Sequence, residues 1–132
     1  MSVQKESETA VDPEEIKPIV KFRRDDFALL TDDSKGWIVR LEDISLLEAC
    51  RNYTFVYSAI GNVFIRRSLA SLERRLDASI FFRANKGCIV NLSHVERLQL
   101  SKDGGLIFVS KDGKEVVFSR RQSILFRRTR GL

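Results

Sequence analysis

From Asp26 onward, short runs of apolar residues alternate with breaks rich in glycine, aspartate and asparagine. That rhythm predicts strands joined by tight turns. Phe27–Thr31 and residues 37–41 flank Asp32-Asp33-Ser34-Lys35-Gly36, which reads as a hairpin with a glycine-bearing loop. Ile44–Cys50 and residues 53–59 follow, then Gly61-Asn62 and residues 63–67. Further strands are expected at Cys88–Asn91, Val95–Leu100, Leu106–Ser110 and residues 115–118. Asp103-Gly104 and Asp112-Gly113 separate the last three, and such pairs suit the primed hairpin turns because an αL-tolerant residue precedes a glycine. The domain is predicted to be mainly β.

One stretch has helical period instead. Ser68 is placed to cap residues 69–76, where Leu69, Leu72 and Leu76 share a face and Glu73, Arg74 and Arg75 form the solvated one. Residues 122–128 are expected to form a last short helix with Ile124, Leu125 and Phe126 turned partly inward. Residues 1–25 are polar, hold both prolines (Pro13 and Pro18) and show no sustained period. They are expected to be a flexible N-terminal segment ahead of a domain at residues 26–132. Within that segment Ile16, Ile19, Val20 and Phe22 form a small apolar cluster able to dock on the domain or on a partner. A chain of 132 residues with 43% apolar content has room for one real core.

Charge sharpens the division. Residues 1–26 carry seven acidic and five basic side chains, net −2, whereas residues 27–132 carry eighteen basic and eleven acidic, net +7. After Glu115 five arginines and no acid remain. A basic domain favours polyanionic partners. No apolar stretch approaches the roughly 20 residues needed to cross a bilayer, so no membrane insertion is expected. Cys50 and Cys88 stand apart, without a secretory signal or paired spacing, which argues for a reducing cytoplasmic setting and against a disulfide or zinc framework. Both are expected to be buried thiols acting as small hydrophobes.

Catalytic chemistry is sparse. His94 is the only histidine, and Leu92-Ser93-His94 lies between two strands, so a turn histidine with Asn91 and Ser93 serving turn backbone groups is the simplest reading. Gly104-Gly105 lacks the lysine and following helix of a phosphate-cradling loop. No enzyme and no cofactor are expected.

Three separated segments share one design. Arg51-Asn52-Tyr53-Thr54 joins two apolar strands, Arg83-Ala84-Asn85-Lys86-Gly87 enters another, and Ser119-Arg120-Arg121 leaves a third. Arginine and lysine pair with guanine acceptors or phosphates, asparagine with adenine, and hydroxyls with phosphates. In order, spacing and flanking apolar residues these segments, with Ile44-Ser45-Leu46-Leu47-Glu48-Ala49 and Ser68-Leu69-Ala70-Ser71-Leu72-Glu73, resemble the LytTR family of bacterial DNA-binding domains across residues 26–128.

The resemblance implies elongated antiparallel β-sheets with one or two short helices, and strand loops rather than a recognition helix in successive major grooves. It implies base contacts from Asn52, Tyr53, Lys86 and Arg120. Phosphate contacts would come from Arg51, Thr54, Arg67, Ser68, Arg83, the backbone N–H of Gly87, Ser119 and Arg121. The implied function is a transcription regulator that binds double-stranded DNA sequence-specifically, with two protomers on paired sites. Asn85-Lys86-Gly87 departs from the family's common His-Arg-Ser, and lysine delivers a point charge where arginine offers a planar fork. Residues 1–25 are too short for the receiver domain many members carry, so a separate regulatory partner or abundance is expected to control the protein. Two other readings remain open: a β-rich RNA or single-strand binder, which would need exposed stacking aromatics, and a basic protein-interaction module.

Overall fold

The computed structural model describes residues 21–132. Among them ten strands and two helices follow one another: β1 (Phe27–Thr31), β2 (Gly36–Arg40), β3 (Ile44–Cys50), β4 (Tyr53–Ser58), β5 (Gly61–Ile65), α1 (Leu69–Glu73), β6 (Phe81–Asn85), β7 (Cys88–Asn91), β8 (Val95–Leu100), β9 (Leu106–Ser110), β10 (Glu115–Val117) and α2 (Arg120–Arg130). Short 3-10 turns at Leu41–Asp43 and Leu92–His94 lead into β3 and β8.

A five-stranded sheet, order β5-β4-β3-β7-β6, forms the middle layer, with the β1-β2 hairpin and a three-stranded sheet, order β10-β9-β8, as separate sheets. All pairings are antiparallel. Successive strand side chains point to opposite faces, and the middle sheet feeds two cores. Leu47, Val56, Val63, Ile65 and Ile89 meet the hairpin and α1 on one face, whereas Leu46, Cys88 and Val90 meet Phe108, Val116 and Phe118 on the other. A strand covered on both sides is apolar except where a polar group is fully bonded, and β7 is buried at every position, Asn91 included. Bulges between Ile44 and Leu46 and between Arg83 and Asn85 re-aim the chain without breaking the ladder.

The mainly β, antiparallel architecture expected from the pattern is present, and Gly104 (φ 88°) and Gly113 (φ 92°) occupy the left-handed turn positions that Asp-Gly pairs favour. Four details differ. β6 was not foreseen, because polar Arg83 and Asn85 interrupt its apolar run, yet pairing with β7 fixes it. α1 is shorter than 69–76, although Leu69 and Leu76 are buried as expected. α2 starts at Arg120, and of its apolar residues only Phe126 turns inward, onto Phe82 and Phe118, while Ile124 and Leu125 stay exposed. Cys50 is exposed, because it stands where β3 runs past its covering layer; Cys88 is the buried thiol, pushed up to about 12 by burial and by nearby Glu48.

Ile16, Ile19 and Val20 lie outside the described residues, but Phe22 packs on the first core. Residues 22–26, which the polarity of the sequence assigned to the N-terminal segment, are tied to the domain. The N–H of Phe22 donates to Arg75 O (2.7 Å), that of Leu41 to Asp26 O (2.9 Å), and that of Arg24 to Asp77 Oδ2 (2.9 Å). Asp77 also accepts from the hydroxyl and N–H of Ser79, and these bonds, Ser79 first, hold its carboxyl below the usual range. A depressed carboxylate pKa stabilises the fold above its unfolded value near 4, and that stability is lost as pH falls through the folded pKa. Acid unfolding should therefore set in below about pH 4. The Asp77→Asn chain should show a shallower loss of melting temperature between about pH 5 and pH 3; parallel curves would remove Asp77 from the account.

Candidate nucleic-acid interface

Antiparallel pairing gathers the basic loops. The end of β3, the start of β4, the end of β5, the start of β7 and the end of β6 all lie at one end of the middle sheet. The β3–β4 hairpin at Arg51-Asn52, the exit at Arg66-Arg67-Ser68 and the β6–β7 turn at Lys86-Gly87 are therefore neighbours. Ala49 N–H donates to Gly87 O (2.8 Å), joining two of them. Ser119 N–H donates to Ala84 O (3.0 Å), so α2 begins beside the same end.

Arg51 and Asn52 are exposed at the hairpin tip, and Arg51 has a φ of 59°. A non-glycine residue there carries backbone strain of about 1 kcal/mol, and strain of that kind concentrates at functional sites. Arg51→Gly is expected to raise free-domain stability by about 1 kcal/mol in urea unfolding while weakening duplex binding. A variant that loses stability would show that the arginine side chain holds the turn.

Tyr53 is half-buried, edge-on to Phe64 (6.3 Å) and under the Arg66 guanidinium (5.4 Å). Arg67 and Lys86 are exposed. Ser68 and Ser119 cap the two helices, accepting from the N–H of Ser71 and of Gln122 (both 3.1 Å), and each keeps its own proton to donate.

Three expected phosphate ligands have other work. Thr54 is fully buried and its hydroxyl donates to Arg67 O (2.7 Å), so it shapes the 66–68 exit from beneath. The N–H of Gly87 already donates to Asn85 Oδ1 (2.8 Å). Arg83 braces the turn from below: its guanidinium donates to Asn85 O (2.8 Å), Lys86 O (2.6 Å) and Glu73 Oε1 (2.7 Å). Asn85 completes the brace by donating from Nδ2 to Val117 O (2.7 Å). With the carbonyls of 85 and 86 held, Lys86 is presented outward on a fixed turn.

Arg120 and Arg121 open α2 rather than extending β10, so they diverge by about 100° and not 180°. Arg121 lines an open groove of about 930 Å³ together with Arg83, Asn85, Lys86, Gln122 and Arg128. Gln122 Nε2 donates to Arg83 O (2.6 Å), locking the helix to β6. Arg120 instead borders a depression with Ser101, Asp103 and Gly104. There Asp103 sits below the usual carboxylate range, chiefly through the Ser101 hydroxyl and the Gly105 N–H, with Arg120 contributing least. Sequence reasoning missed Arg66, Gln122 and Arg128. A signal existed for the last, since residues 121 and 128 are seven apart and fall on one helix face.

Strand loops, capped helix ends and a cationic groove gathered at one end of an antiparallel sheet make this a β-scaffolded nucleic-acid-binding domain. The chain belongs to the family of LytTr DNA-binding domains, whose pattern matches residues 34–130. It is a DNA-binding domain of the kind transcription regulators carry. The LytTr DNA-binding domain of a response regulator from Bacillus cereus has the same fold (TM-score 0.73), at 22% identity, covering 80% of this chain and 97% of that one. The CO-responsive transcriptional regulator RcoM of Rhodospirillum rubrum is 37% identical over 86 residues, which are 65% of this chain and 36% of that protein. The heme-containing CO-sensing transcriptional regulator RcoM 2 of Paraburkholderia xenovorans is 29% identical over 91 residues, 68% of this chain and 34% of that protein. The chain spans about a third of the length of these regulators. Among the described residues no helix is long and apolar enough to cross a membrane.

Proposed function

We propose that this chain reads double-stranded DNA sequence-specifically by inserting the loops at one end of the middle sheet into the major groove, and that it does so as a transcription regulator. The observation that carries this reading is the shared groove of Lys86, Arg121 and Arg128, with Arg51, Asn52 and Arg67 at the same sheet end. Lys86 and Arg121 are the proposed base readers there, and Asn52 is a third at the hairpin tip. Tyr53, engaged by Phe64 and Arg66, supports that tip from the side. Arg51, Arg67, Ser68, Ser119, Arg128 and Arg120, which motif matching placed in the groove, are the proposed phosphate contacts. Thr54, Arg83 and Gly87 shape the loops and do not reach the duplex.

Two protomers on paired sites complete the proposal, each covering successive grooves. Because the matched regulators are about three times longer than the segment they share with this chain, the signal is proposed to reach it from a separate sensory part or protein. Selection from a random duplex pool, followed by sequencing, tests the reading. A repeated motif bound better as duplex than as either separated strand is expected. Equal capture of single strands would support a stacking mode instead, through the partly exposed Phe64 face. No enrichment at moderate salt would support the protein-interaction reading.

A further inference from the structure

We infer that residues 16–20 of this chain fill a cavity on the first core and thereby bring acidic side chains against the cationic end. The cavity holds about 280 Å³ and opens between the β1-β2 hairpin, β5 and α1, with Leu41, Ile44, Leu47, Val56, Ile65 and Leu72 in its walls. Close-packed cores rarely leave such a volume, and an apolar void of about 150 Å³ already admits a benzene-sized guest.

Its rim carries Asp32, Asp33, Arg66, Arg67 and Arg75. Asp33 holds Arg66 at 3.3 Å, and Asp32 is committed to the N–H groups of Ser34 and Lys35. No carboxylate among the described residues forms an ion pair with Arg67.

The chain enters the described structure at this wall. Phe22 lines the cavity, its N–H donates to Arg75 O, and the Arg75 guanidinium lies 4.9 Å over its ring. Val20 is within about 7 Å of Phe22 and Ile16 within about 21 Å, even at full extension. Ile16, Ile19 and Val20 form an apolar cluster that the DNA reading leaves unused. Residues 1–20 hold five acids (Glu6, Glu8, Asp12, Glu14, Glu15) against Lys5 and Lys17, net −3. An apolar plug preceded by carboxylates matches apolar walls under a cationic rim.

The consequence rests on the proposed DNA reading: Arg67 is contested between Glu14 or Glu15 and a phosphate, so a docked segment lowers duplex affinity. The test uses the full chain, the Ile19→Asp/Val20→Asp variant and the Glu14→Gln/Glu15→Gln variant, with decanoate as a cavity probe. Wild type should show methyl NOEs from Ile19 and Val20 to Leu47, Val56 and Ile65, and should exclude decanoate. The aspartate variant should lose the NOEs, bind decanoate and hold duplex about two- to tenfold more tightly. The glutamine variant should keep the NOEs and also bind duplex more tightly. Absent NOEs with equal decanoate uptake by wild type and variant would overturn the inference and leave an open amphiphile site. Intact NOEs with unchanged duplex affinity in both variants would overturn the competition. If no form binds any duplex, the DNA reading fails while the NOEs still decide the docking.

Discussion

Asn91→Ala is expected to destabilise the domain by about 3 kcal/mol, roughly a hundredfold in the folding equilibrium. Asn91 is fully buried and uses both ends of its amide. Nδ2 donates to Ile44 O (2.7 Å) and Glu42 O (3.3 Å), and Oδ1 accepts from the N–H (2.9 Å) and hydroxyl (2.7 Å) of Ser93. One side chain thus ties the turn entering β3 to the turn leaving β7. Alanine leaves the buried Ile44 carbonyl without this partner, at about 1–3 kcal/mol, loses the part-buried bonds to Ser93, and opens a void besides. Asn91→Asp should be at least as damaging at neutral pH, because an ionised carboxylate has nothing to donate to two carbonyls. His94, whose Nε2 lies 2.7 Å from Glu42 O, is half-exposed, so His94→Ala should lose clearly less. Urea unfolding measures all three, with the midpoint shifting and the slope unchanged. A loss under 1 kcal/mol for Asn91→Ala would mean that the turns hold without it.

The same residue shows what the sequence made legible. Asn91 and Ser93 were readable as turn-satisfying because small polar side chains bond locally; that Asn91 also reaches across the sheet to Ile44 depends on β3 pairing β7, which no local pattern states. The hairpins and the mainly β class followed from alternation and Asp-Gly turns for the same local reason. β6 was hidden because its polar residues, Arg83 and Asn85, point at the loop they brace and break the apolar run. The candidate interface divided likewise. Which segments carry exposed donors was visible in residue type, since Lys86 and Arg121 belong to short motifs. Which donors are free was not: Thr54, Arg83 and the Gly87 N–H are consumed by partners, and apart from Arg67 O and Glu73 Oε1 those partners lie within three residues but are reached only through the folded turn. The Arg120 and Arg121 directions depended on where α2 begins. Ser119 marked that start as a potential cap, but the strand before it suggested continued extension.

Duplex affinity should fall by about a hundredfold between 50 and 200 mM salt, because neutralising about four phosphates gives a log–log slope of about −3.6. The cations that supply this number are Arg51, Arg67, Arg120 and Arg128, all exposed and all carried by the loops of one sheet end or by α2. Arg121, the proposed base reader, and Arg120 should separate. Arg121 faces the groove it shares with Lys86 and Asn85, where a bidentate guanidinium can address a guanine edge. Arg120 lies toward Asp103 and Gly104, beside the groove rather than in it. Arg121→Ala should therefore weaken the cognate site by about 1–3 kcal/mol and relax preference at one base position. Arg120→Ala should weaken cognate and altered sites alike and shallow the salt slope by about one unit. Neither should move the urea midpoint much, since both side chains are exposed. Affinities of both variants for the cognate duplex and its single-base variants, at two salt concentrations, decide the matter. The reverse result, with base preference lost on Arg120→Ala and kept on Arg121→Ala, would restore the assignment made from the motif alone and place the groove on the Asp103 side of α2.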